Sequence, residues 1–178
     1  KSPKICDKLE VQNFLSSLPF ELTKDQMSAV TEIYNDMTSE KRMNRLICGD
    51  VGSGKTIVGV IAVYISYLSN YQSALLAPTE ILAKQHYENI TKLFSGTNLK
   101  TALLLGSTKK KEKESILRDL SSGKIDLLIG THAMLNEKVN FKNLGLVITD
   151  EQHRFGVNQR ESLRNKGLLP DILYMSAT

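Results

Sequence analysis

Cysteine is scarce. Cys6 and Cys48 are the only two in the chain, and their spacing makes neither a metal site nor a disulfide framework. Cys48 falls in an apolar strand, where a small buried thiol is expected. Long apolar runs are lacking too. The longest, Ile57 to Ile65, is well short of the roughly 20 residues a membrane span needs and reads as a buried helix, so no membrane is expected as a partner. Lys1-Ser2-Pro3-Lys4 has charge but no apolar run behind it, so no signal peptide is expected. No internal repeat or low-complexity segment stands out. Neither sign of charge dominates: 23 Lys and Arg face 19 Asp and Glu, a net charge of +4. That excess permits a polyanionic partner without demanding one. These absences fit a reducing, cytosolic interior.

What is present is ordinary globular material: 178 residues, 41% hydrophobic and 24% charged, sized for one domain. The first residue is Lys1 and not Met, so the chain is expected to be a piece of something larger. Residues 1–20, ending in Leu18-Pro19-Phe20, read as a connector with a short helix around Val11 to Ser17. One domain is expected over residues 21–178. Thr23 suits a helix N-cap, Gln26 the third position of a capping box, and Leu22 with Met27 a hydrophobic staple.

From there short apolar runs alternate with helical patterns. Strands are expected at Arg45–Cys48, Ala74–Ala77, Thr101–Leu105, Asp126–Ile129, Leu146–Thr149 and Ile172–Met175. Helices are expected at Lys24–Met37, Gly54–Leu68, Thr79–Phe94, Lys110–Leu120 and Gln159–Asn165. Alternation with near-continuous apolar strands predicts an α/β fold, a mostly parallel sheet with helices on both faces. Ligands bind such sheets outside the carboxyl ends of the strands.

The unusual residues cluster in those loops. Gly49-Asp50-Val51-Gly52-Ser53-Gly54-Lys55-Thr56 follows the first strand and satisfies the phosphate-loop pattern in its required context of strand, loop and helix. Gly49, Gly52 and Gly54 let the backbone curl, so that N–H groups around Val51 and Ser53 converge on phosphate oxygens at the positive end of a helix. Lys55 is placed to reach the β- and γ-phosphates, and the Thr56 hydroxyl to ligate Mg²⁺. Far downstream, Leu146-Val147-Ile148-Thr149 is a strand, with Asp150-Glu151-Gln152-His153 past its end. Asp150 can hold Mg²⁺, through water given the ion's reluctance to dehydrate. Glu151 can orient or deprotonate the attacking water. The two motifs point to a nucleoside triphosphate and its hydrolysis, without saying what that hydrolysis drives.

Asp150-Glu151-Gln152-His153 resembles the DExH box of superfamily 2 helicases and translocases. Its continuation, Arg154-Phe155-Gly156-Val157, resembles the RecG family of ATP-dependent DNA branch-migration helicases. Ala77-Pro78-Thr79-Glu80-Ile81-Leu82-Ala83, Gly130-Thr131-His132-Ala133 and Met175-Ser176-Ala177-Thr178 fit the same family in the same order. The transcription-repair coupling factor has a similar motor but more often carries a second Glu where Gln152 stands. A phosphate-loop switch protein, using nucleotide to change partners, is the alternative from another class.

The RecG resemblance implies a RecA-like first motor domain using ATP and Mg²⁺ on branched or duplex DNA in a bacterial cytoplasm. A second RecA-like domain and a wedge domain of the same full-length chain are implied as partners. The second domain would supply the arginine finger, so the fragment alone is expected to bind nucleotide weakly and not to unwind DNA. Roles follow at matching positions. Thr79, Gly106-Ser107 and Thr131-His132 grip the DNA backbone, with a plain N-cap as the alternative for Thr79. Gln152, His153, Ser176 and Thr178 couple the nucleotide site to DNA. An upstream glutamine reads adenine in this superfamily, so Gln26 has two readings, adenine recognition and the capping box; Phe20 can stack on the base. Lys109-Lys110-Lys111-Glu112-Lys113-Glu114 reads as a solvated helix face, and His86, Tyr64 and Tyr67 as helix surface and core.

Overall fold

The computed structural model describes residues 1–48, 53–150 and 170–176. Its helices are α1 (Lys8–Ser17), α2 (Lys24–Met37), α3 (Ser53–Leu68), α4 (Glu80–Leu93) and α5 (Lys110–Ser121). Its strands are β1 (Asn44–Cys48), β2 (Gln72–Leu76), β3 (Thr101–Leu104), β4 (Leu127–Gly130), β5 (Leu144–Asp150) and β6 (Asp171–Ser176). A 3-10 turn covers His132–Leu135. The expected helix at Gln159–Asn165 lies outside the described residues, as does the side chain of Cys48.

Local chemistry accounts for the boundaries. At α2 the Thr23 hydroxyl accepts from the Gln26 amide at 3.1 Å, and the Gln26 side chain accepts from the Thr23 amide at 2.9 Å, a complete capping box. Asp7 caps α1 by accepting from the Leu9 amide, and Thr79 caps α4 by accepting from the Leu82 amide. The run from Lys109 to Glu114 is largely exposed on α5, a solvated face.

Every strand pairing is parallel, in the order β1-β6-β5-β2-β4-β3. Every residue of β2, β4 and β5 is buried, which is why those strands are apolar almost without interruption. Side-chain alternation divides the core in two. Leu75, Leu127, Ile129, Leu146, Ile148 and Leu173 face the layer built by α1 to α4. Ala74, Leu76, Leu128, Val147 and Ile172 face the other way, toward Leu120 of α5 and Met134 of the 3-10 turn. Helices therefore cover both faces, unequally.

Residues 1–20, expected as a connector, are packed into this domain. Phe14 is buried and stacks on Tyr64 with ring centroids 4.2 Å apart, and on Phe94 at 5.6 Å. Asp171, wholly buried at the start of β6, accepts from the Lys1 ammonium at 2.8 Å, the Lys4 ammonium at 2.6 Å and the Met43 amide at 2.7 Å. Burial lowers the Lys4 pKa, and Asp171 opposes that shift.

Candidate active site

The register of the sheet brings the motifs to one edge. Cys48, the last residue of β1, lies opposite Ser176, and Asp150, the last of β5, lies opposite Met175. Leu76 of β2 lies opposite Thr149 and Gly130, and Gly130 opposite Leu104. Six parallel strands thus end within about one residue of the same level, and every candidate loop leaves from there. Strand order then sorts the loops. Those following β1 and β5 carry the nucleotide motifs, the end of β6 carries the expected coupling residues, and those following β2, β4 and β3 carry the expected DNA contacts. Only β6 separates β1 from β5, so roughly 10 Å, two strand spacings, divides the end of β1 from the end of β5.

The described part of the phosphate loop begins at Ser53. Lys55 is buried at 7% exposed in the first turn of α3, where amides left without helical partners favour an anion. Thr56 is half-buried beside it. Asp150 is 5% exposed. Among the described residues no three His, Cys, Asp or Glu side chains cluster to cage a metal. The Thr56 hydroxyl and the Asp150 carboxylate are hard oxygen donors of the kind Mg²⁺ takes, together with substrate phosphates and water. Gly49, Val51, Gly52, Glu151, Gln152, His153 and Thr178 lie outside the described residues, as do the side chains of Ser53 and Ser176.

Both ends of the Gln26 amide are engaged, each in one hydrogen bond. Besides its part in the capping box, its side-chain nitrogen donates to the Gly54 carbonyl at 3.1 Å, tying α2 to the first turn of α3. The capping arrangement therefore holds in the structure, and it places the Gln26 amide against the phosphate-loop helix. Phe20, 45% exposed, lines a groove of about 650 Å³ with Leu15, Pro19, Leu22 and Met27.

On the other half of the edge, Thr79 is exposed at the α4 N-terminus, with its hydroxyl oxygen serving as the cap. Gly106 and Ser107 are exposed after β3. The Ser107 hydroxyl donates to the Glu80 carboxylate at 3.1 Å and its amide does so at 3.3 Å, which joins the Thr79 and Ser107 loops. Thr131 and His132 follow Gly130, and there a glycine is required. A Cβ on Gly130 would run into the Leu104 carbonyl and come within 2.9 Å of Met134.

One residue of the site escapes sequence reasoning. His86, read as helix surface, has its Nε2 2.7 Å from Oδ2 of Asp150. A signal was available in the helical phase. Ala83 and Ile90 are the buried residues of α4, and His86 lies three after one and four before the other, on the same stripe. The carboxylate it meets is 64 residues away, which periodicity cannot reveal.

A six-stranded parallel sheet with a buried lysine and a buried aspartate at its carboxyl edge defines a RecA-like nucleotide-binding domain. The family model for the DEAD/DEAH box helicases matches residues 23–178, and the chain belongs to that family. More particularly, it is 54% identical over 169 residues to the ATP-dependent DNA helicase RecG of Bacillus subtilis (strain 168), covering 95% of this chain and 25% of that protein. It is 54% identical over 176 residues to RecG of Thermotoga maritima, covering 99% of this chain and 23% of that protein. Among solved structures, RecG bound to a three-way DNA junction superimposes with a TM-score of 0.89 at 52% identity, over 99% of this chain and 24% of that one. The helicase MrfA, at 21% identity and a TM-score of 0.74, shares the fold over 99% of this chain and 30% of its own. The chain thus spans about a quarter of the length of these RecG relatives.

Proposed function

We propose that this chain is the ATP-binding half of a RecG-type DNA motor, which couples ATP hydrolysis to translocation on duplex DNA and to branch migration or fork reversal in recombination and repair. The observation that carries the reading is the shared sheet edge. β1, which precedes Lys55 in the chain, and β5, which ends at Asp150, lie on either side of β6, with the strands that lead to the expected DNA loops continuing along the same row. Mg²⁺ bound there would neutralise charge on the transferring phosphoryl group.

In this reading Lys55 holds the β- and γ-phosphates, Thr56 and Asp150 hold the metal, and Glu151 orients the attacking water. Gln26 reads adenine beside Phe20. Thr79, Gly106, Ser107, Thr131 and His132 hold DNA phosphates by contacts blind to sequence, as a motor on any duplex requires. Gln152, His153, Ser176 and Thr178 relay between the two halves. The protein works in the bacterial cytoplasm with a second motor domain and a wedge domain in the same full-length chain. Residues 21–178 are the motor unit, and residues 1–20 are its N-terminal connector, packed against it through Phe14.

ATPase stimulation of the full-length protein by forked against linear DNA tests the proposal. Forked DNA is expected to stimulate more, and Lys55→Ala to abolish nucleotide binding or turnover. Turnover indifferent to branched DNA would refute the motor reading. Turnover retained by Lys55→Ala would refute the phosphate-loop assignment.

A further inference from the structure

We infer that His86 is a positioning residue for the metal site, holding the Asp150 carboxylate in the orientation from which it engages Mg²⁺. This inference rests on the reading of Asp150 as the metal carboxylate given above. Asp150 is the last residue of β5, with its backbone held in the ladder to β6 while its side chain retains two free torsions. The side chain is 7% exposed, so water cannot satisfy all of its oxygens, and a buried carboxylate without a partner is costly. The only hydrogen bond to that side chain among the described residues comes from His86, at 2.7 Å. An ionised carboxylate can only accept, so Nε2 carries the proton whether the ring is neutral or charged.

That bond takes one lone pair of Oδ2 and stops rotation of the group, leaving Oδ1 for the metal or its water. The imidazole is itself fixed. It is 13% exposed and sits on the stripe of α4 that carries Ala83 and Ile90 into the core. A side chain placed only to fill space would not need its ring nitrogen aimed at a carboxylate. Mg²⁺ demands near-ideal octahedral geometry and tolerates a displaced ligand poorly, so the orientation of a single carboxylate weighs heavily. Loss of a hydrogen bond that orients a metal ligand typically costs about 10–100-fold in metal affinity or activity.

The test compares His86→Leu, which removes the donor, with His86→Gln, which keeps an N–H at similar reach, both in the full-length protein. Binding of a fluorescent adenine nucleotide is titrated against Mg²⁺ and repeated in excess chelator. His86→Leu is expected to raise the Mg²⁺ concentration at half-maximal affinity about 10-fold or more, with metal-free nucleotide affinity unchanged and His86→Gln restoring most of the difference. An unmoved Mg²⁺ midpoint with a lower melting temperature would make His86 a packing residue and overturn the inference. A midpoint moved to lower Mg²⁺ would overturn it too, because the bond would then restrain Asp150 from the metal. Asp150→Asn separates the two levels of the argument. If it shifts the midpoint and His86→Leu does not, only the His86 role fails. If Asp150→Asn shifts nothing, the metal assignment fails and the inference goes with it.

Discussion

Gln26 serves two masters in the readings above, and the structure shows how to separate them. Its Oε1 accepts from the Thr23 amide at 2.9 Å, while its Nε2 donates to the Gly54 carbonyl at 3.1 Å. Gln26→Glu keeps the acceptor that the capping box needs and removes the donor. Thr23→Ala removes the cap and leaves the glutamine amide intact. An N-cap threonine contributes about 1 kcal/mol, so Thr23→Ala should lower the melting temperature of the domain by about 2–4 °C. If the amide reads adenine through one accepted and one donated hydrogen bond, Gln26→Glu loses the donated one, about 0.5–1.5 kcal/mol of binding. That is roughly 2- to 13-fold in affinity for ATP, with GTP little affected. Equilibrium binding of ATP and GTP to both variants, alongside thermal melts, checks the argument. Thr23→Ala should melt earlier with its base preference retained, and Gln26→Glu should lose the preference. Unchanged ATP selectivity in Gln26→Glu would refute adenine recognition and assign the residue to helix capping and to the α2–α3 tie.

Two further expectations concern stability. Phe14→Ala should destabilise the domain by about 3–5 kcal/mol, because it empties the stack against Tyr64 and Phe94; a denaturant melt showing less than about 1 kcal/mol would return residues 1–20 to the status of a loose connector. Asp126 is half-buried, and desolvation raises its pKa above 3.8, outweighing the hydrogen bond it accepts from the Lys100 amide at 2.8 Å. Its folded form therefore binds more protons than its unfolded form between 3.8 and the raised value, and stability declines as pH rises through that window. Asp126→Asn keeps an acceptor for Lys100 without the charge, so it should melt higher than the parent at pH 7, and the gain should vanish as pH falls toward 3.8. An equal melting difference at both pH values would contradict this.

Most secondary structure is legible in the chain because its causes are local. The capping box and apolar stripe of Lys24–Met37 place that helix at the expected residues. The helix expected at Thr79–Phe94 forms at Glu80–Leu93, with the two end residues as its caps. The strands fall within about two residues of expectation, since short apolar runs and their flanking polar residues are written in the segments themselves. Residues 1–20 were less legible. Val11 and Phe14 are too few apolar positions to announce a core helix until Tyr64 and Phe94 stand opposite them. Asp171 reads as a charge at a strand entrance, and only the fold converges Lys1, Lys4 and the Met43 amide on it.

The amino-acid order alone determined the element types, the parallel α/β class and the chemistry on offer: a phosphate-loop pattern and an acidic strand end. Those follow from residue type and short spacing, which act over a few ångströms along the chain. The tertiary structure alone decided that β6 inserts between β1 and β5, that the loop ends share one level, and that His86 meets Asp150. Such pairings join residues many positions apart. Their energies depend on which surfaces are buried together, a property that no local stretch of chain contains.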